Sequence, residues 1–236
     1  MKNRKMGLIF VILASISISI SACHSNDSTI NKQIDEDCGK QISKSLSYIN
    51  NFYFEKNPIY LDSALLVLKG IENKSLRYKN VILNDEVHVY FLKKDFSAAL
   101  STLNSISDSI YPFPSFKKVL EFKIKAKEAE INKNEKKQKE CFYALIIIFQ
   151  RYLDDNQQAV ESILRQADMN IIKQSPNIDF VLSEMFFYKT KIQTMNKTIS
   201  EIESFRKMNS GNLFYFNELK RNIKRNDGQA IGILLY

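Results

Sequence analysis

The chain has 236 residues, of which 44% are hydrophobic and 25% are charged, a composition typical of folded proteins that argues against overall disorder. It contains only six glycines and four prolines, which favours helices over a turn-rich β-sandwich. The formal net charge of +8 is mildly basic and compatible with attraction to an anionic membrane surface or an acidic partner, but alone it does not indicate nucleic-acid binding.

The first 22 residues have the pattern of a cleaved signal peptide. A short basic segment, residues 1–5, precedes an uncharged apolar run from Gly7 to Ala22. At about 1.5 Å per residue this run covers ~24 Å, which is less than the ~30 Å of a bilayer core. Removal of residues 1–22 would leave 214 of the 236 residues and a charge of +5 in place of +8.

The apolar run ends with Ile20-Ser21-Ala22-Cys23, an aliphatic residue, two small residues and a cysteine. This segment resembles the lipobox of bacterial lipoproteins. The resemblance implies thioether-linked diacylglycerol on Cys23, cleavage after Ala22, and acylation of the new amino terminus, palmitate being one such acyl group. Several acyl chains bind a bilayer stably, whereas one binds marginally. An ordinary secretory signal with a chance cysteine is the alternative.

The resemblance also implies a location in the bacterial cell envelope, anchored to a membrane through the lipid on Cys23. His24 follows this cysteine where an aspartate would favour retention in the inner membrane of some bacteria. We therefore expect the outer membrane over the inner one. Export argues against a nucleic-acid partner.

Residues 23–41 are mostly polar and include Asp35, Glu36 and Asp37, so we expect a lipidated cysteine followed by a flexible tether. Two further cysteines, Cys38 and Cys141, would lie in a compartment that permits disulfides. A bridge between them is one interpretation. The favoured one is that Cys141 is a small buried core residue.

Residues 42–153 contain two similar segments, 62–71 and 97–106, separated by 35 positions. Each has a small residue followed by apolar residues one, four and seven positions later, a stripe suited to helix packing. The first has Ala64, Leu65, Leu68 and Ile71; the second has Ala99, Leu100, Leu103 and Ile106.

This pattern, with Tyr90 and Phe96 before the second segment, resembles the tetratricopeptide repeat, a helical hairpin of about 34 residues. A more divergent third unit follows, with its small residue at Cys141, 42 positions after Ala99. The resemblance implies an all-α array of tetratricopeptide-like hairpins over 42–153. A generic helical hairpin array is the alternative.

We expect residues 154–236 to form a helical cap. Its main element is one long helix over about 178–208, ended by Gly211-Asn212, with apolar residues spaced by three and four positions. This helix would pack across the preceding hairpins, or self-associate as a coiled coil that joins two chains through residues 178–205. The stripe comprises Ile178, Val181, Met185, Tyr188, Ile192, Met195, Ile199 and Ile202.

No catalytic constellation is evident, and we expect neither an enzyme nor a bound metal or cofactor. The chain has two histidines, and one of them, His88, lies near Asp85 and Glu86 at positions that do not share a helix face. The interleaved charges over 117–139 read as a solvated surface. A denser basic cluster, Lys220, Arg221, Lys224 and Arg225, is a candidate site for an acidic protein or lipid headgroups, or a solvated helix end.

The sequence thus predicts a membrane-anchored lipoprotein that serves as a non-catalytic scaffold for a protein or peptide. One alternative is an immunity lipoprotein that neutralises a toxin. Another is a truncated sensor, since the repeats also resemble the periplasmic parts of repeat-containing envelope regulators. The apolar stretch over 230–236 is too short to span a membrane.

Overall fold

The computed structural model describes residues 28–111, 113–166 and 176–225. These residues form ten α-helices and one short 3-10 helix, without strands, so the predicted all-α helical hairpin array is confirmed. The α-helices are α1 (Ser28–Glu55), α2 (Ile59–Ile71), α3 (Lys79–Leu92), α4 (Phe96–Ser105), α5 (Phe116–Ile131), α6 (Glu135–Asp155), α7 (Gln157–Arg165), α8 (Pro176–Ile192), α9 (Met195–Met208) and α10 (Leu213–Arg225).

The first six helices pair as the hairpins α1–α2, α3–α4 and α5–α6. Successive hairpins stack through the contacts of α2 with α3 and of α4 with α5. Helix α8 packs on α6, and α9 and α10 pack on α8 and on each other. The last three helices therefore form a layer that covers the third hairpin.

The three hairpins share one turn. The first helix of each is followed by a lysine in the left-handed conformation, with φ of 57° at Lys56, 63° at Lys94 and 53° at Lys133. The next residue is Asn57, Asp95 or Asn134, whose side chain accepts a hydrogen bond from a backbone N–H at the start of the second helix, at 3.0–3.1 Å. The turn recurs after 38 and 39 residues, so it marks a structural repeat in addition to the apolar stripes.

In the second and third hairpins this turn is a Schellman motif. At Lys94 the N–H donates to the carbonyl of Phe91 at 3.0 Å, and the N–H of Asp95 donates to that of Tyr90 at 2.9 Å. These bonds satisfy carbonyls at the helix end that would otherwise lack partners. Asp95 and its counterparts then cap the next helix, so two adjacent residues end one helix and start the other.

The residues expected to pack the repeats lie mainly inside. Ala64 and Leu68 of α2 and Ala99 and Leu103 of α4 are fully buried, and Leu65, Leu100 and Tyr90 are half-buried. Phe96 is buried at the start of α4, with its ring edge-on to Phe91 and 6.0 Å between the ring centres.

The structure differs from the flexible tether expected over 23–41, because α1 begins at Ser28. The reason is an apolar stripe that the polar composition concealed. Ile34 is half-buried, and Cys38, Ile42 and Ile49 are buried in a core shared with α2, while Asp35 and the other acidic residues occupy the remaining faces.

The expected long helix over 178–208 is also corrected, because it is divided into α8 and α9. Thr194 adopts an extended backbone conformation and its hydroxyl accepts the N–H of Lys197 at 3.3 Å, which caps α9. The apolar stripe packs within the chain, as Val181, Met185 and Ile202 are buried in its core. Because these three residues are buried within the chain, they are not available to form a coiled coil with a second chain through residues 178–205.

Cys38 and Cys141 are both free and buried, so the structure has no disulfide between them. Burial raises the pKa of both thiols above their usual value. Both cysteines pack as small apolar residues, Cys38 in α1 and Cys141 in α6.

The shared turn leads to a test of the second hairpin. Asp95→Ala removes the cap of α4 and is expected to lower the free energy of unfolding by about 1 kcal/mol. Lys94→Gly removes the cost of a left-handed lysine, about 1–2 kcal/mol, and adds the chain entropy of glycine, so we expect a net gain of several tenths of a kcal/mol. Urea unfolding followed by circular dichroism measures both changes.

Ser97→Ala, an exposed change in the first turn of the same helix, serves as the control. If Asp95→Ala leaves stability at the control value, or if Lys94→Gly lowers it, the turn does not have the energetic role assigned to it.

Candidate functional site

A groove lies between α6 and α7 on one side and α8 and α9 on the other, with a volume of about 450 Å³. We call it the C-terminal groove. Its size is within the range of protein binding sites, which is about 300–1,000 Å³. It is lined by Gln150, Leu153, Asp154, Gln157, Val160, Met185, Phe186, Lys189, Glu201, Ser204, Phe205, Met208 and Asn209.

The floor of the C-terminal groove is apolar and firmly packed. Leu153, Val160, Met185 and Phe186 belong to the main core and are buried. Phe205 of α9 meets Phe186 edge-on, with 6.0 Å between ring centres and an interplanar angle of 80°. Such aromatic pairs add about 0.5–1.5 kcal/mol to the gain from burial, so the floor is a fixed surface.

The rim carries charges that are already paired. Lys189 Nζ on α8 donates to Glu201 Oε2 on α9 at 2.7 Å. Partial burial opposes ionisation of Glu201, but the hydrogen bond and charge of Lys189 outweigh it, so its pKa lies below the usual value. Gln150 Nε2 donates to Asp154 Oδ1 at 2.9 Å on the opposite wall. Lys189 and Glu201 neutralise each other, whereas the amide of Gln150 is neutral and leaves the charge of Asp154, so the rim is slightly acidic.

Apolar side chains are exposed at the end of α9, on the groove, and at the start of α10. Met208 at the end of α9 lines the groove and is 74% exposed. Leu213 and Phe214, at the start of α10, are also exposed. Tyr53, Phe54 and Ile59 of the first hairpin are exposed in the same way, so what distinguishes Met208 is its position on the groove, and methionine is common at adaptable binding surfaces.

The turn between α9 and α10 is held in place. The N–H of Asn212 donates to the carbonyl of Leu164 at the end of α7 at 2.7 Å. Gly211 has no room for a side chain, because an added Cβ would lie 2.4 Å from Phe216, which is buried in the core. Gly211 and Asn212 end the helix as the sequence predicts, and they also fix the position of the start of α10.

A second groove, of about 630 Å³, lies in the first hairpin between α1 and α2. Ile34, Cys38 and Leu66 contribute apolar surface to it, and Lys40 and Lys74 contribute positive charge. It lies on the first hairpin, whereas the C-terminal groove involves the last layer of the array.

The polar residues near the middle of α3 are buried. His88 is 1% exposed, its Nε2 lies 2.8 Å from the Tyr53 hydroxyl, and burial lowers its pKa to about 3. Glu86 is equally buried and its Oε2 accepts from Lys69 Nζ at 2.7 Å. A substrate could not reach these groups without opening the fold, so this cluster is a structural seam between the first two hairpins.

Asp85 belongs to the same seam but lacks such a partner for one oxygen. Its Oδ2 is buried and makes no hydrogen bond to the residues that the structure describes. Burial, with a contribution from the charge of Glu86, raises the pKa of Asp85 from 3.8 to about 7. A buried carboxylate without a full set of partners costs free energy unless it takes up a proton.

A second buried ion pair joins α5 to the last layer. Lys123 Nζ lies 2.6 Å from Glu184 Oε2, and both side chains are almost fully excluded from solvent. The ammonium also lies 5.7 Å and 5.8 Å from the ring centres of Phe180 and Tyr188. Burial lowers the pKa of Lys123 and raises that of Glu184, against the opposing effect of their mutual attraction.

The expectation of a solvated surface over 117–139 is therefore wrong at Lys123. The sequence contained a signal for its partner, because Glu184 is a single acidic residue within the apolar stretch of α8. An acidic residue in an apolar stripe usually has a buried partner, but a sequence does not show which lysine supplies it.

The basic cluster near the carboxy terminus is divided by the fold. Lys220 is ion-paired with Glu203 of α9, and Arg221 lies 2.7 Å from Glu218 of its own helix. Lys224 and Arg225 are exposed at the end of α10. Only the latter two present unneutralised charge among these four, which weakens the cluster as a binding site.

Within 28–111, 113–166 and 176–225, no three His, Cys, Asp or Glu side chains come together as metal ligands do. In the same part of the chain, every helix is too short or too polar to cross a bilayer. Cys23, the signal peptide over 1–22 and the apolar stretch over 230–236 lie outside the described residues.

No protein-family model, curated protein or solved structure matches this chain.

The seam on α3 predicts opposite pH effects of Asp85 and His88. Between about pH 4 and 7 native Asp85 holds a proton that the unfolded chain releases, so its contribution to stability falls as pH rises. Between about pH 3 and 6.5 native His88 lacks a proton that the unfolded chain binds, so its contribution rises with pH. Each slope is at most about 1.4 kcal/mol per pH unit.

Urea unfolding of wild type, Asp85→Asn and His88→Gln from pH 4 to 8 measures these slopes. We expect Asp85→Asn to gain stability relative to wild type as pH rises to 7, and His88→Gln to lose relative stability between pH 4 and 6.5. Ser97→Ala, an exposed change that alters no titratable group, should run parallel to wild type. Parallel curves for all four proteins would contradict the assignment.

Proposed function

We propose that this protein is a non-catalytic scaffold of the bacterial envelope, anchored by lipid on Cys23, that binds an apolar segment of a protein or peptide in the C-terminal groove. The observation that carries the proposal is the combination of a packed apolar floor with exposed Met208 on the groove; Leu213 and Phe214, five and six positions further along the chain, are exposed as well. The floor residues are almost fully buried, so the apolar area open to a ligand comes mainly from half-buried Phe205 and exposed Met208, and only a partner would bury it.

The charges support an apolar ligand over an acidic one. Lys189 of the rim is paired with Glu201, and Lys220 of α10 with Glu203. A ligand carboxylate would have to displace one of these pairs, whereas apolar side chains would add to the floor without disturbing them. The arrangement suits an amphipathic helix or an extended segment with apolar anchors.

The proposal includes anchoring in the outer membrane and a tetratricopeptide-like origin of the hairpins. Support for anchoring comes from the lipobox sequence Ile20-Ser21-Ala22-Cys23, and support for the outer membrane from His24, which stands where an aspartate would favour retention in the inner membrane. Support for the tetratricopeptide-like origin comes from the buried small residues Ala64 and Ala99 in the second helices of successive hairpins.

Photocrosslinking tests the partner site. With p-benzoylphenylalanine at position 208 of the full chain in its native host, we expect one specific adduct. Met208→Asp should weaken the captured partner's affinity about tenfold, since an exposed anchor of this kind contributes on the order of 1.4 kcal/mol or more.

Phe54 is a matched control, because it is also 74% exposed and lies at the end of α1. The probe at position 54 should give no such adduct, and Phe54→Asp should leave the affinity unchanged. Equal adducts from both positions, or none from position 208, would refute the site. A toxin in the adduct would identify the immunity alternative.

Lipid anchoring has its own test. In the native host we expect wild type to fractionate with the outer membrane and to yield an amino-terminal peptide that starts at Cys23 with diacylglycerol and acyl masses. Cys23→Ala should abolish the modification and release the protein from the membrane, whereas Cys38→Ala should keep both. An unmodified Cys23 in membrane-bound wild type would refute lipidation.

A further inference from the structure

The loop between α2 and α3 presents a single leucine to solvent. Leu76 is 92% exposed, the highest value among the large apolar residues of the described chain. Three basic residues, Lys74, Arg77 and Lys79, surround it in sequence and are exposed as well. We call these four residues the basic loop. Arg77 is ion-paired with Asp35, so Lys74 and Lys79 supply the positive charge beside the leucine, and an apolar side chain flanked by cations is the arrangement that interfacial membrane-binding segments use.

The basic loop is fixed to α1. The hydroxyl of buried Ser75 donates to Asp35 Oδ1 at 2.5 Å, and Arg77 lies 3.7 Å from Asp35 Oδ2. The guanidinium of Arg77 also lies 5.4 Å from the ring centre of half-buried Tyr78. Buried Ser75 turns inward while Leu76 points outward, so the leucine is presented by a defined backbone.

This attachment places the loop at the end of the molecule that is nearest to Cys23 in the chain. Asp35 lies seven residues into α1, about 10 Å along its axis from Ser28. The five residues from Cys23 to Ser28 span at most about 18 Å. A lipid on Cys23 would therefore hold the basic loop within a few tens of ångströms of the bilayer surface.

We propose that the basic loop docks on an anionic lipid surface, with Leu76 inserted among the acyl chains and the cations at the headgroups; its placement near the bilayer rests on the proposed lipid at Cys23. A lipid surface fits better than a protein partner. A stable protein interface buries about 800 Å² on each side, far more than one leucine offers. A fluid bilayer accepts one inserted side chain without a complementary pocket, and each nearby cation strengthens binding about fivefold.

The absence of tryptophan from the chain permits a direct test. Leu76→Trp places the only tryptophan on the loop, and Phe214→Trp places it on an exposed site of α10. Each full-length lipidated protein is reconstituted into vesicles of phosphatidylethanolamine with phosphatidylglycerol, and of phosphatidylcholine alone. Flotation reports anchoring, while emission wavelength and quenching by brominated lipid report insertion.

We expect both proteins to float with both vesicles, and only the tryptophan at position 76 to shift to the blue and be quenched, in the anionic vesicles. Lys74→Gln with Lys79→Gln in the Leu76→Trp protein should reduce the equilibrium constant for insertion about 25-fold. Flotation without quenching at position 76 overturns the docking and leaves the anchor intact. Quenching at position 76, with flotation of both proteins on anionic but not on neutral vesicles, supports the docking and counts against the anchor. Equal quenching at both positions, or in neutral vesicles, also overturns the docking.

Discussion

Helix α3 is buried on two faces, and the stacking of the whole array depends on this. Ile82 and Val89 lie in the core formed with α1 and α2, whereas Leu83 and Val87 lie in the larger core that continues to α10. A helix with two apolar faces has few places for polar residues, so Asp85, Glu86 and His88 are buried with it. Tyr53 of α1 and Lys69 of α2 supply hydrogen bonds to two of them, which fixes the register of the first hairpin on the second. The polar seam costs desolvation energy and specifies where the hairpins meet.

The Lys123–Glu184 pair has the same role at the other end of the array. It joins α5 to α8, which also packs on α6 and forms one wall of the C-terminal groove. A buried pair of this kind contributes little net stability relative to apolar residues of equal size, but loss of one partner leaves an uncompensated charge and costs about 3–5 kcal/mol. The role of the pair is therefore to position α8, because Glu184 must lie next to Lys123 of α5 for the two buried charges to be paired. The shape of the C-terminal groove depends on that placement of α8.

The elements that the sequence predicted well are those in which the local pattern and the packing agree. Ala64, Leu68, Ala99 and Leu103 follow helical spacing and are buried, and Gly211-Asn212 follows the end of α9, where the ring of Phe216 leaves no room for a Cβ on Gly211. Predictions failed in two situations. In one, a polar composition hid an apolar stripe; in the other, the apolar spacing continued past the end of a helix. Acidic residues concealed the apolar stripe of α1, and the regular spacing over 178–208 gave no sign of the cap at Thr194.

The left-handed turns were not predicted, because lysine, the residue at positions 56, 94 and 133, is not the usual occupant of that conformation. The C-terminal groove could not be predicted, since it depends on how α6 to α9 are arranged in space.

A linear array separates the two proposed contacts. Each hairpin touches mainly its neighbours, so the basic loop on the first hairpin and the C-terminal groove in the last layer share no side chain and no helix. Helices pack at about 8–10 Å, and the intervening hairpins therefore place the groove tens of ångströms from a membrane that contacts the loop. Docking at the loop would convert a flexible attachment at Cys23 into a fixed orientation with the groove held away from the bilayer. A scaffold gains from such an orientation because its partner then meets the groove without competing with the lipid surface, which would otherwise attract the same exposed Met208 and Phe214.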